Sequence, residues 1–182
     1  MSSKSCCKTS VGVIIWSADR RELLMIERGT LPAGIAPVAG HALDEHASYR
    51  AAAHAEVAEE IGLTVVGLTE SAVGGFHPGR CRRTGSDGHT WKLFEATVTG
   101  QVDASVREVA AVGWWDLGEI QHLAERTADH AAGMLTAKEF SVQPGLEPVW
   151  CQWLAELGHV DLPGGDLDAI RALAATPPSQ HR

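Results

Sequence analysis

The chain has 182 residues, 45% of them hydrophobic, which is enough for one globular domain with a sizeable core. Fifteen basic and twenty-three acidic residues leave a net charge of −8, which argues against a surface that coats nucleic acid or binds an acidic membrane. No apolar run approaches the roughly 18 residues of a spanning helix, and the first residues lack the apolar stretch of a signal peptide. We therefore expect a cytoplasmic protein with no nucleic-acid partner and no membrane partner.

The cysteines suggest reduced thiols. Cys6, Cys7, Cys81 and Cys151 include no C-x-x-C pair, which argues against a zinc ribbon and fits a reducing compartment. The adjacent Cys6 and Cys7 leave two interpretations, a metal or redox role and a disordered tail. We interpret residues 1–9 as a disordered tail.

The first third of the chain predicts a hairpin and a loop. Val11–Trp16 and Leu23–Glu27 are β-rich apolar runs on either side of a short polar stretch, which predicts two paired strands. Gly29–Pro37 contains two prolines and two glycines and is predicted to be a loop.

A helix with three glutamates follows. Ser48 is a suitable N-cap and Gly62 a suitable C-terminal stop, so the sequence predicts a helix that runs to about Ile61. The glutamates occupy positions i, i+3 and i+4 within an arc of about 100°, at Glu56, Glu59 and Glu60. Like charges so close repel one another, and a hard cation such as Mg²⁺ or Mn²⁺ would compensate them. The alternative is a solvated acidic face.

The stretch His41–Leu63 resembles a Nudix box, G-x5-E-x7-R-E-U-x-E-E-x-G-U, in which U is a bulky aliphatic residue. The second half matches in register at Glu56, Val57, Glu59, Glu60, Gly62 and Leu63. The segment that ends at Gly40 resembles the turn that opens the box. The departures are His41 for the box glycine, Ala47 for the first glutamate and Ala55 for the arginine.

The resemblance implies an α/β fold: a Nudix-like α/β/α sandwich with a mixed sheet, over residues 10–130. It implies hydrolysis of a nucleoside diphosphate linked to another moiety, by attack of water on a diphosphate phosphorus. Mg²⁺ or Mn²⁺ would be held by the Gly40 carbonyl and by Glu56, Glu59 and Glu60. One of these glutamates, or Glu108 from a later loop, would act as the general base, and the sequence does not choose among them.

The middle of the chain supplies basic side chains. Leu63–Phe76 is predicted to be a strand that bends at its paired glycines, and His77–Gly88 a loop. The candidate phosphate ligands are the arginines Arg28, Arg80, Arg82 and Arg83, because the arginine fork matches phosphate oxygens. The alternative is that these arginines are solvated surface charges.

The remaining elements are predicted from local signals. Trp91–Val98 and Val112–Trp115 are predicted strands, and Ser105–Ala111 a predicted loop. Asp116 with Glu119 forms a capping-box pattern that opens a helix to about Thr127.

Residues 131–176 are predicted to form a helical C-terminal extension. Thr136 with Glu139 is a second capping-box pattern, Pro148 fits the first turn of a helix with tryptophans at helical spacing, and Asp166 is a candidate cap of the last helix. The extension would pack on the domain or on a second copy of the chain in a homodimer. Residues 177–182 are interpreted as a tail.

Two other functions and one other metal site are alternatives. A Nudix-like nucleotide-binding or regulatory module would keep the fold and lose turnover, which Ala47 and Ala55 favour. A diphosphate isomerase of the isopentenyl type shares the fold, but the sequence does not match its cysteine and histidine motifs. A zinc site of His41, His46 and His54 matches no strong spacing motif.

Overall fold

The structure is a computed structural model that describes residues 5–29, 33–79, 81, 83–107 and 109–176. Its strands are β1 (Thr9–Ile15), β2 (Glu22–Arg28), β3 (Ile35–Ala36), β4 (Val38–His41), β5 (Thr64–Pro78), β6 (Gly88–Thr99) and β7 (Val109–Asp116). Its helices are α1 (Tyr49–Ile61), α2 (Leu117–Ala131), α3 (Ala137–Val142), α4 (Pro148–Glu156) and α5 (Gly164–Ala175).

The strands form two sheets, ordered β4-β1-β6-β5 and β3-β2-β7. Strand β1 pairs antiparallel with β4 and parallel with β6, so the larger sheet is mixed, as predicted. The predicted hairpin joins β1 to β2 through a bridge between Trp16 and Leu23. Its two strands then diverge into different sheets, and β2 pairs with β7.

Side chains of β1 alternate between two cores because successive residues of a strand point to opposite faces. On one face, Val11, Val13 and Ile15 share a cluster with Val57 and Ile61 of α1. On the other face, Ile14 shares a cluster with Ile120 of α2, Trp150 of α4 and Ile170 of α5. The helices therefore cover both faces, which confirms the predicted α/β/α sandwich.

The C-terminal helices are part of this core. Trp150 and Trp153 are 0% and 1% exposed within the single chain. The Trp150 ring lies directly over Gly12 of β1, where a Cβ would come within 2.6 Å of the ring atom Cη2. The extension thus packs on the domain, and the tryptophan stripe is core.

Several predicted boundaries are wrong. Both ends of the predicted loop His77–Gly88 belong to β5 and β6, because these strands pair as far as Pro78 and Gly88. Ile35–Ala36, inside the predicted loop Gly29–Pro37, forms β3 because it pairs with β2. β7 begins at Val109, inside the predicted loop Ser105–Ala111, because Val109 pairs with Arg28. The last helix begins at Gly164, so Asp166 lies in its first turn and is not its N-cap.

The described part of the predicted N-terminal tail is structured. Ser5 forms a bridge with Thr84, the Cys6 N–H donates to the Thr84 carbonyl at 2.9 Å, and β1 begins at Thr9. The interpretation of residues 5–9 as disordered is therefore wrong, since long-range pairing holds them. Residues 1–4 and the predicted tail at 177–182 lie outside the described residues.

The contact between Trp150 and Gly12 predicts a stability effect. Gly12→Ala forces the indole ring to shift in a packed core and should lower the free energy of unfolding by about 1–3 kcal/mol. Gly164→Ala is the control, because its added Cβ meets no atom within 4 Å. Urea denaturation of both variants tests this. Equal stability of Gly12→Ala and the wild type would contradict the packing described.

Candidate active site

Helix α1 begins and ends where its local signals predict. The Ser48 hydroxyl accepts a hydrogen bond from the Ala51 N–H at 3.1 Å, and Gly62 adopts the left-handed conformation with φ 71°. An L side chain at Gly62 would be strained there and would crowd Asp103. The caps fix where the helix begins and ends, and the buried Val57 and Ile61 set its rotation about its axis.

That rotation places Glu56 against β4. A Cβ at position 40 would overlap the Glu56 carboxylate, so Gly40 leaves the space that this carboxylate occupies. Glu56 is a predicted metal ligand, and it therefore lies beside the backbone of Gly40, whose carbonyl is another predicted ligand. Tertiary packing brings Gly40 and Glu56 together, although they are 16 positions apart in the sequence.

Glu60 lies one turn further along the same side of the helix. It is only 6% exposed, and its Oε2 accepts a hydrogen bond from the Ala39 N–H at 3.3 Å. The backbone of Glu60 also anchors a loop, since its carbonyl accepts from the Ser105 N–H at 2.9 Å. This brings the segment before β7 to the end of α1. Glu108, the predicted alternative base, lies outside the described residues.

The three glutamates differ in exposure. Glu60 is buried, Glu56 is half-buried and Glu59 is exposed. The acidic arc of α1 therefore extends from the protein interior at Glu60 to the solvent at Glu59.

The predicted phosphate-binding arginines are only partly described. Arg28 Nη1 lies 3.6 Å from Glu147 Oε2, at the end of β2, and Arg83 forms an ion pair with Asp44. Arg80 and Arg82 lie outside the described residues. Binding of phosphate by any of these four stays a prediction.

His41 belongs to a different group. Its neighbour Gly40 faces α1, so the alternation of β4 turns the His41 side chain to the opposite face of the sheet. There it meets Cys6, Cys81 and His89, and one donor atom from each of the four residues lies within 4.8 Å of the others. Burial, followed by the nearby His41 and Arg83, lowers the pKa of His89 to about 4. His54 is exposed on α1 and is not part of this group.

Sequence reasoning missed this group. Its members are separated by as many as 83 positions, and no two have the close spacing of a metal motif. The sequence offered two separate signals, a possible metal role for Cys6 and a zinc site of His41 with other histidines, and nothing joined them.

The family of the chain follows from its sequence. Residues 8–137 match the family model of the NUDIX domain. The chain belongs to the NUDIX domain family. The match begins just before β1 and ends at the start of α3, so this NUDIX domain contains both sheets and the glutamate helix.

Solved structures share the fold. The MutT NUDIX hydrolase of Burkholderia pseudomallei has a TM-score of 0.52 and 18% identity, over 61% of this chain and 84% of that one. The NUDIX domain of Shewanella oneidensis NrtR, complexed with ADP ribose, has a TM-score of 0.52 and 15% identity, over 65% and 77%. The Escherichia coli ORF135 protein has a TM-score of 0.52 and 18% identity, over 82% and 87%.

No curated protein sequence matches the chain. Among the described residues, no helix of the NUDIX chain has the length and apolar character needed to cross a membrane.

The close approach of Gly40 and Glu56 predicts that Gly40→Ala displaces the Glu56 carboxylate. We expect Mn²⁺ affinity to fall about tenfold, since a lost orientation of one ligand costs on that order. Folding should be little affected, because the far end of a flexible side chain can move. Titration calorimetry with Mn²⁺ and a thermal melt measure the two effects. Gly67→Ala, whose added Cβ meets Thr97 at 3.4 Å, is the control. An unchanged Mn²⁺ affinity in Gly40→Ala would contradict the prediction.

Proposed function

We propose that this NUDIX protein is a metal-dependent hydrolase that acts on a nucleoside diphosphate linked to another moiety. The observation that carries the proposal is the placement of two α1 carboxylates against β4, Glu56 over Gly40 and Glu60 on the Ala39 N–H. Membership of the NUDIX domain family supports the same chemistry.

The residues present fit a hard divalent cation. Glu56, Glu59, Glu60 and the Gly40 carbonyl offer only oxygen donors, which Mg²⁺ and Mn²⁺ prefer over nitrogen or sulfur. A bound cation would neutralise phosphate charge and lower the pKa of a coordinated water.

Side chains of the protein would carry out the remaining chemistry. Water attacks one phosphorus, a new P–O bond forms, the bridging P–O bond breaks, and the leaving phosphate group takes up the negative charge. A carboxylate must accept the proton of the water, and the exposed Glu59 is open to solvent for that role. Glu56 and Glu108 are the alternatives. Arg28 and Arg83 would pair with phosphate oxygens, together with Arg80 and Arg82.

A second candidate function is nucleotide binding without turnover. Ala47 is exposed and Ala55 half-buried, and neither can supply the carboxylate or guanidinium that the box has at these positions. His41 does not replace the missing arginine, because it lies on the other face of β4. The loss of both side chains favours a site that binds its ligand without hydrolysing it.

A substrate screen separates the two functions. Nucleoside triphosphates, nucleotide sugars, dinucleotides and coenzymes are incubated with the protein and Mg²⁺ or Mn²⁺, and ADP-ribose is included. Release of phosphate or nucleoside monophosphate that requires the metal supports the hydrolase. Nucleotide binding by calorimetry without product from any substrate supports the binding module.

The buried Glu60 predicts an effect on metal binding. Glu60→Gln can still accept from the Ala39 N–H, but it removes one ligand charge, so Mn²⁺ should bind at least about tenfold more weakly while the fold is kept. The control is Glu156→Gln, which makes the same charge change on the exposed end of α4. Calorimetric titration with Mn²⁺ measures both variants. Equal affinities for Glu60→Gln and wild type would show that Glu60 is not a metal ligand and only bonds the Ala39 N–H.

The alanine at position 55 predicts a gain of activity. Ala55 lies about 40° from Glu59 around the helix, so an arginine there would reach the glutamates and orient them through charge-assisted hydrogen bonds. We expect Ala55→Arg to raise kcat several-fold at saturating Mg²⁺ on a substrate found by the screen. Ala55→Lys is the control for charge without the bidentate fork. A kcat that is unchanged or lower in a folded Ala55→Arg protein would refute this.

A further inference from the structure

We propose that Cys6, His41, Cys81 and His89 form a structural zinc site, separate from the glutamates of α1. The proposal does not depend on the hydrolase function. It begins from geometry: one donor atom from each of the four residues lies within 4.8 Å of all the others.

The individual distances are close to those around a tetrahedral ion. Cys6 Sγ lies 3.0 Å from His89 Nε2 and 3.7 Å from His41 Nε2, and His41 Nε2 lies 3.2 Å from Cys81 Sγ. With Zn–S near 2.3 Å and Zn–N near 2.0–2.1 Å, a sulfur and a nitrogen on one tetrahedral ion are about 3.6 Å apart. One of the three distances matches this value and two are shorter by about 0.4–0.6 Å, so a small outward movement of the side chains would admit one zinc ion.

The surrounding bonds orient the ligands. His89 Nδ1 lies 2.6 Å from Ser10 Oγ, and when Nδ1–H donates to this hydroxyl, Nε2 keeps its lone pair on the side of the sulfurs. Each sulfur accepts a backbone N–H from two residues further on, Cys6 from Lys8 and Cys81 from Arg83, both at 3.3 Å. Such N–H donors stabilise a thiolate, the form of cysteine that binds metal.

The backbone two residues after Cys6 has an unusual conformation. Lys8 adopts a φ of 59°, a left-handed conformation that is unfavourable for a lysine. The N–H of the same residue donates to the Cys6 sulfur. Cys7, between them, instead contacts Thr9 and takes no part in the group.

The donor types select the metal. Two thiols and two imidazoles suit zinc, and hard ions such as Mg²⁺ prefer oxygen. Four protein ligands also fill a tetrahedral zinc site and leave no open position, as in structural sites. The ion would fasten three segments together: the N-terminal segment through Cys6, β4 through His41, and the β5–β6 connection with the start of β6 through Cys81 and His89.

The test uses metal-free protein under reducing conditions. Wild type is titrated with Co²⁺, which gives intense visible bands and thiolate charge-transfer absorption in a tetrahedral sulfur site, and Zn²⁺ is then added. We expect one Co²⁺ per chain with these bands and its displacement by an equimolar amount of Zn²⁺. Zn²⁺ should also raise the unfolding temperature. Wild type alone thus tests the proposal, whether or not the variants fold.

Variants locate the site. Cys81→Ser and His89→Gln should lose the charge-transfer bands or bind Zn²⁺ at least about a hundredfold more weakly, since loss of a ligand costs more than loss of an outer partner. Cys7→Ser, the adjacent thiol, and Glu156→Gln, on the exposed end of α4, should behave as wild type. The proposal is overturned if wild type shows no tetrahedral spectrum, if Cys81→Ser binds Zn²⁺ as tightly as wild type, or if Cys7→Ser loses binding equally. It is also overturned if the cysteines form a Cys6–Cys81 disulfide whose reduction restores no Co²⁺ binding.

Discussion

The antiparallel pairing of β4 with β1 is the contact on which both candidate sites depend. It sets Gly40 opposite Val11 and His41 opposite Ser10, and thereby fixes which face of the sheet each residue meets. Gly40 faces α1 and admits the Glu56 carboxylate, while His41 faces Cys6, Cys81 and His89. A shift of one residue in this register would exchange the two faces and remove both arrangements.

The carboxylates of α1 sit where electrostatics disfavours them. They repel one another, and they lie toward the negative end of the helix dipole. The structure offsets part of this cost through the Ala39 N–H that binds Glu60. The negative charge of Glu56 lies in the space that Gly40 leaves open.

The C-terminal helices complete the sandwich beyond the family match, which ends at residue 137. Without α4, the face of β1 that carries Gly12 and Ile14 would lose Trp150, its largest partner. The absence of a side chain at Gly12 allows the ring to lie directly on the strand. The helices that follow the matched region are therefore part of the same core, because neither sheet face is stable in water without a cover.

The sequence by itself determined what depends on near neighbours. Ser48 and Gly62 bound α1, capping boxes open α2 and α3, and the i, i+3, i+4 spacing places the glutamates on one arc, because each signal acts within one helical turn. Only the tertiary structure decided what depends on contacts distant in sequence. Three contacts join residues that are far apart in the chain. They are the pairing of Val109 with Arg28 that starts β7, the Arg83–Asp44 ion pair, and the contact of Cys6 with His89. No local pattern encodes those contacts, because the two partners of each lie on segments that only the folded chain brings together.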